Sequence, residues 1–393
     1  MGGMAERHAM SRVRDTVLAS LSAIGARAEA AFYAQRFSEL QPERFAFLVV
    51  DPRAMQGSLL EAFVSNIRLL SDLDLTPIVL LGVLDEDITH VRFQSQKLSR
   101  ELTDAGVGSV RLNTATYGLF SEVSKVCKDG RIPILEITDT RNRLDIADLV
   151  EKIRPDKVIF LQPSGGLSQS ARRISVINID NDRTEDYVQS IGQAQFLDLV
   201  KQLLRDVDAE THYVMASPLN LIAELFTEKG SGTLIRRGAK LLDYKTYRSL
   251  DLDLLEHSLE GAFGRRLDPA FLKAGIERIW IEEHYRGGAI IQQIEDLPYL
   301  SKFWVTREAR GEGLARDIWN AVAAEHERLV WRSRRANGFN EWYLANCDGF
   351  QRVGEWNIYW RGLSPSDVPH AIATVLERGD DFLPADDDGG VAQ

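Results

Sequence analysis

Cysteine is almost missing from this 393-residue chain. Its two copies, Cys127 and Cys347, lie far apart, which excludes a disulfide framework and a thiolate zinc site. Basic charge is in deficit too. With 47 Lys+Arg against 58 Asp+Glu the net charge is −11, the wrong sign for a general nucleic-acid binder. No stretch approaches the roughly 20 apolar residues of a membrane span. Met1–Arg14 is mixed and charged, without the apolar segment of a signal peptide. The seven histidines form no i,i+4 pair, and Asp85–Asp87 reads as a solvated loop, so no metal is expected. What remains is a cytoplasmic protein with no nucleic-acid or membrane partner, long enough for two domains.

What is present is periodic. Residues 1–14 are expected to be disordered. From Asp15 to Leu40 apolar residues recur at helical spacing, giving an amphipathic helix whose stripe needs a partner, its own domain or another subunit. Short apolar runs then alternate with helical stretches: strands at Phe45–Val50, Pro77–Val83, Ile132–Ile137, Lys157–Leu161 and His212–Ala216. Continuous apolar strands separated by helices predict an α/β sandwich with a mainly parallel sheet over residues 15–240. A different order follows over 245–378: a helix, three strands as a meander, a helix, a strand, a short helix, two paired strands and a last helix. This predicts an α+β domain. Residues 379–393 are acidic and poor in aromatics, so a disordered tail is expected.

The sharpest local feature is YLSKFWVTREARGEGLARDIW (Tyr299–Trp319), a strand, a glycine-bearing turn and an amphipathic helix. Gly311 and Gly313 would let backbone approach a ligand, and the first free amides of the helix would face it with the positive end of the dipole. Arg310 and Arg316 add local positive charge. A turn that merely needs glycine for its geometry fits as well. In WRSRRANGFNEWY (Trp331–Tyr343), Arg332 and Arg334 fall on one face of a strand, followed by Asn337, Asn340 and Tyr343. Such guanidiniums suit a dicarboxylate, with Lys302 as a further cation, although arginines so spaced are more often a solvated face. Trp304, Trp319, Trp331, Trp342, Trp356 and Trp360 read as core, and Cys347 as a small buried hydrophobe.

Residues from about Tyr247 to Leu376 resemble the acetyltransferase domain of N-acetylglutamate synthases of the vertebrate-like type, which includes bifunctional synthase–kinases. The segments just quoted carry the likeness, with CDGF (Cys347–Phe350) and EWNIYWRGL (Glu355–Leu363). The resemblance implies an acetyl-CoA:L-glutamate N-acetyltransferase, an enzyme of the first step of arginine biosynthesis. It implies Tyr343 as the catalytic residue and Lys302, Arg332 and Asn337 as binders of the substrate L-glutamate. Acetyl-CoA would be held by the backbone at Phe303 and Val305 and by Arg310, Gly311, Gly313, Ala315 and Arg316. A second tyrosine frequent in the family is Leu344 here.

Residues 15–240 resemble the amino-acid kinase domain of the same family, through AAFYAQRFSEL (Ala30–Leu40) and LNLIAELFTEKGSGTLIRRG (Leu219–Gly238). Where that kinase carries a Lys-x-Gly-Gly phosphate loop, this chain has Val49–Pro52. Its His-Gly-Gly-Gly turn is Leu81–Leu84, and a later phosphate-binding lysine is Phe196. Without those groups a transferring phosphoryl finds no neutralising charge, so a pseudokinase with a regulatory and assembly role is expected. The resemblance further implies an arginine effector site at Tyr33, Glu224, Gly230 and Gly232, and a homo-oligomer, dimer or tetramer. An acetyltransferase for another amine, or a non-catalytic regulatory partner of a separate acetylglutamate kinase, are the competing readings.

Overall fold

The structure, a computed structural model, describes residues 27–383 apart from 85–86, 115, 139–144, 171, 181, 183, 209 and 228–229. The expected disordered residues 1–14, the first half of the N-terminal helix and most of the Asp85–Asp87 loop therefore lie outside the described residues. The chain divides into two compact units after Gly238.

The first unit is the predicted α/β sandwich. Its strands are β1 (Ala46–Val50), β2 (Ile78–Leu81), β3 (Ser109–Asn113), β4 (Ile132–Glu136), β5 (Lys157–Leu161), the small hairpin β6 (Ser168–Gln169) and β7 (Arg172–Arg173), β8 (Val176–Asn178), β9 (His212–Ala216) and β10 (Thr233–Arg236). Eight of them form one sheet, β3-β4-β2-β1-β5-β9-β10-β8, parallel except where β10 meets β9. Side chains alternate between two cores. Ala46, Leu48 and Val50 face α1 (Arg27–Ser38), α2 (Gly57–Asp72), α3 (Ile88–Asp104) and α7 (Leu221–Phe226). Phe47 and Val49 face α4 (Leu119–Lys128), α5 (Ile146–Ile153) and α6 (Ile191–Asp206). Burial on both faces is why these strands read as unbroken apolar runs. The stripe of α1 finds its partner in its own unit: Phe37 meets the rings of Phe45 at 5.0 Å and Phe226 at 5.8 Å. The described part of that stripe therefore gives no argument for an oligomer.

The second unit carries a seven-stranded sheet, β11-β12-β13-β14-β15-β17-β16. These are β11 (Leu241–Tyr244), β12 (Arg278–Glu282), β13 (Gly287–Ile294), β14 (Leu297–Val305), β15 (Leu329–Arg334), β16 (Gly349–Val353) and β17 (Trp356–Arg361). The helices are α8 (Leu252–Phe263), α9 (Leu314–Glu325), α10 (Asn340–Asn346) and α11 (Val368–Leu376). β11 pairs antiparallel with β12, so this unit begins at Ala239 rather than at 245. Nor is residue 379 the start of a loose tail. Phe382 bridges Leu267 and sets its ring 4.9 Å from Phe263, and Leu383 N–H donates to Arg266 O at 2.9 Å. An aromatic anchor outweighs the acidic composition there. Residues 384–393 lie outside the described residues.

Two details of this sheet position the chemistry. β14 runs parallel to β15, yet the two pair only at Tyr299–Val330 and part company toward Val305 and Arg334. On its other edge β14 carries a bulge: Ile290 faces Lys302 while Ile291 faces Leu300, leaving Ser301 extra. The extra residue turns Lys302 and Trp304 to the opposite face from Leu300, Phe303 and Val305. Gly288 lies under Trp304, where an added Cβ would fall 2.5 Å from the indole and 2.6 Å from Trp280 O. Gly288→Ala is expected to lower stability by about 1–3 kcal/mol, measured by thermal unfolding; an unchanged midpoint would contradict this packing.

Candidate functional site

The parting of β14 and β15 opens a cleft, and each wall leads to one half of the predicted site. The β14 wall ends in the glycine turn. Gly311 and Gly313 both take left-handed φ, +81° and +78°, a conformation that favours glycine. Gly313 is the N-cap of α9. Glu312, between them, is ion-paired to Arg286 at 3.1 Å, and Arg286 in turn to Glu282 at 2.9 Å, so its charge does not stand alone against an anion. Leu314 anchors the turn in the core while Ala315 and Arg316 begin the helix. The Phe303 ring stacks on Trp342 at 5.0 Å and belongs to the core, so its backbone and that of Val305 are what a ligand in the cleft could use.

The β15 wall ends in α10, which delivers Tyr343. This side chain is 5% exposed, with ring centroids 5.4 Å from Tyr359, 5.9 Å from Trp331 and 6.2 Å from Phe303. Burial pushes its phenol well above its ordinary pKa, so Tyr343 holds its proton at neutral pH and gives it up less readily than a free phenol. Asn337 spends its side-chain carbonyl on the turn, accepting from Phe339 N–H at 2.8 Å, and only its NH2 end can serve a ligand. Asn340 ties the turn down by donating to the carbonyls of Arg334 at 3.1 Å and Arg335 at 2.9 Å.

The cations gather on one side. Lys302 is 4% exposed, under the ring of Phe271 at 4.2 Å, and its ammonium is ion-paired to Asp381. Desolvation dominates, partly offset by Asp381, and pushes its pKa down to about 8. Arg332 donates to the carbonyls of Val375 and Arg378, each at 3.0 Å, and of Gly379 at 2.5 Å, closing the end of α11. Arg332 and Arg334 both stack on Trp356, 4.1 Å from its centroid. Trp356 is thus a cation platform as well as a partly buried ring packed against the cluster of Ile358 and Val375, while Trp304, Trp319 and Trp331 are buried as expected. Cys347 is only half-buried, its thiol against Leu344 O at 3.7 Å.

Sequence reasoning missed Tyr299. It lies at the one paired step of the cleft, fully buried, close enough for Arg332, Asp381 and Arg378 to act on its phenol and for it to act on Tyr343. Its β14 position beside Lys302 was the available signal. Missed too were Arg265, Asp380 and Asp381, whose significance depends on a long-range return of the chain.

In the first unit Glu224, Gly230 and Gly232 of the effector candidates are in direct contact. The Glu224 carboxylate accepts from the backbone of Ser231 and Gly232, both at 2.8 Å, and meets Lys157 Nζ at 3.5 Å. Gly230 is packed so close that a Cβ would fall 2.6 Å from Glu224 Oε2. Tyr33 instead packs on α1 between Phe32 and Phe37. Glu224→Ala should orphan both amides and leave Lys157 only the backbone carbonyl of residue 224, costing about 3 kcal/mol; a thermal midpoint equal to the parent would refute that role. At the end of β1, Asp51 is occupied by Arg53, through Nε at 2.9 Å and Nη2 at 2.5 Å. The guanidinium lies over Gly192, at the start of α6. Phe196 is wholly buried against Phe160 at 5.1 Å. Among the described residues no His/Cys/Asp/Glu group could hold a metal ion, and no helix is long and apolar enough to cross a membrane.

Comparison with known proteins places this architecture. Residues 242–378 match the family described as NAT, N-acetyltransferase, of N-acetylglutamate synthase. An acetylglutamate kinase of Xylella fastidiosa is 30% identical across 84% of this chain and 93% of its own length. The human mitochondrial N-acetylglutamate synthase is 28% identical across 81% of this chain and 69% of its own. Among solved structures, the N-acetylglutamate synthase of Neisseria gonorrhoeae, complexed with coenzyme A and L-arginine, covers 85% of this chain and 97% of its own at 14% identity, with a TM-score of 0.53. That likeness supports the fold, an amino-acid-kinase-like unit followed by an acetyltransferase unit. The chain belongs to the family of vertebrate-like N-acetylglutamate synthases and bifunctional synthase–kinases.

Proposed function

We propose that this chain is an N-acetylglutamate synthase, transferring acetyl from acetyl-CoA to the α-amine of L-glutamate. The observation that carries the reading is the cleft where β14 and β15 part after Tyr299–Val330, with the glycine turn on one wall and buried Tyr343 on the other. Acetyl-CoA would lie along the freed edge of β14, its thioester held by backbone near Phe303 and Val305. Its pyrophosphate would meet the Gly311–Gly313 turn, the first amides of α9, Arg310 and Arg316. Lys302, Arg332 and the amide of Asn337 would orient the carboxylates of glutamate. The amine nitrogen attacks the thioester carbonyl, the C–N bond forms, the C–S bond breaks, and Tyr343 gives its proton to the departing thiolate; the proton that the nitrogen sheds on becoming an amide returns through water to the Tyr343 phenolate. The ammonium loses its proton beforehand to water. Positioning of amine and thioester supplies most of the acceleration.

The division of labour is catalytic over 245–378 and regulatory over 15–240. The lack of kinase activity is supported by Arg53 filling the ground at Asp51 and by the burial of Phe196. Arginine regulation, a homo-oligomeric state and a cytoplasmic location belong to the same reading. A thiol-release assay with glutamate, other amino acids and titrated arginine tests it: turnover with another amine alone would assign a different acceptor. ATP-dependent phosphorylation of acetylglutamate would restore the kinase. Absence of all acetyl transfer, with a separate kinase co-purifying, would favour a regulatory partner.

A further inference from the structure

Of the two cations assigned to the acceptor, Lys302 is already met by a carboxylate of this chain and Arg332 by its carbonyls. Asp381 is ion-paired to Lys302, whose ammonium is closed in by the rings of Phe271 at 4.2 Å and Phe382 at 5.3 Å. Its neighbour Asp380 bridges Arg334 at 2.9 Å and Arg265 at 3.0 Å. The next residue back, Gly379, gives its carbonyl to Arg332. Two successive residues thus offer two carboxylates to the cationic side of the cleft, the chemistry that a dicarboxylate amino acid would offer. At 4% exposure Lys302 has no room for a second carboxylate while Asp381 is seated.

We infer that residues 379–383 are an internal occupant of the acceptor pocket, with Asp381 standing where a carboxylate of glutamate must bind, so that Asp381 sets acceptor affinity. This rests on the reading of Lys302 and Arg332 as acceptor-binding residues. The exchange is close to balanced. One carboxylate on Lys302 replaces another, and the Asp380 pairs, with side chains about a third exposed, are of the weak, solvated kind. What holds the segment besides is Arg332 on Gly379 O, Arg265 on Leu383 O at 3.0 Å, the Phe382 ring on Phe263, and the bonds Asp268 N–H to Asp381 O at 3.0 Å and Leu383 N–H to Arg266 O at 2.9 Å. An occupant seated in nine of ten molecules raises the apparent acceptor constant about tenfold.

The test is steady-state acetyl transfer by the full chain carrying Asp381→Asn. The KM for glutamate should fall about five- to tenfold, with the KM for acetyl-CoA unmoved, and Asp381→Glu should return it toward the parent value. A glutamate KM that stays or rises overturns the inference, the rise marking Asp381 as a group that positions Lys302. Lys302→Ala separates the two layers. If it raises the glutamate KM while Asp381→Asn does not lower it, only the internal occupant falls. If Lys302→Ala has no effect, the reading beneath it falls as well. Should Asp381→Asn fail to fold, hydrogen exchange on the parent protein decides: saturating glutamate should speed exchange at the Leu383 amide, and slowed or unchanged exchange overturns the inference.

Discussion

Tyr343→Phe is expected to lower kcat by about a hundredfold or more, the range lost with a general acid, while both KM values stay within about twofold. The substitution removes one oxygen and keeps the ring. The ring is what packs, against Tyr359, Trp331, Phe339, Trp342 and Phe303, so stability should be retained. At its ordinary pKa the phenol already carries its proton at neutral pH; burial raises its pKa further, so its help to a thiolate depends on its position rather than on enhanced acidity. Single-turnover acetyl transfer with saturating glutamate reads the step directly. A kcat equal to the parent would remove Tyr343 from the chemistry and leave it a core residue.

Arg332→Ala is expected to act twice. The guanidinium serves three carbonyls at the end of α11, and its loss leaves them to solvent, costing about 2–3 kcal/mol at hydrogen bonds to a charged group. It also removes a cation from the proposed glutamate pocket, raising the KM for glutamate at least about tenfold. Arg332→Lys separates the two roles. A lysine keeps the charge but cannot fork to three acceptors, so affinity should recover more than stability. Equal loss of both in the lysine variant would confine Arg332 to a structural role.

The elements that sequence made legible are those whose burial is uniform. β1, β5 and β9 were readable because both faces are covered, and α9 because its stripe is regular. β3 and β11 were not, since half-buried edge strands carry no continuous apolar run. β8 is only three residues long, and β10 (TLIR) is polar at both ends, unlike the equally short but wholly apolar β2. In the site, Tyr343, Lys302 and the glycine turn were found through contiguous motifs. The same motifs placed Trp356 in the core it borders but gave no sign of its stacking on Arg332 and Arg334, which depends on β17 lying beside β15. The partnership of Lys302 with Asp381 was invisible for the same reason, joining residues 79 apart in sequence. Composition labelled residues 379–393 an acidic tail, yet Phe382 together with the ion pairs of Asp380 and Asp381 fastens their beginning.

The bulge at Ser301 also bears on how this strand can evolve. Substitutions along β14 alter one side chain at a time, but removing one residue at the bulge would exchange the faces of everything on one side of it. Lys302 would leave its cluster and Phe303 would leave the aromatic core together. Segment length in β14 is therefore under tighter constraint than residue identity. Insertions and deletions in this lineage should accumulate in the turn joining β16 to β17 and spare the stretch from Tyr299 to Val305.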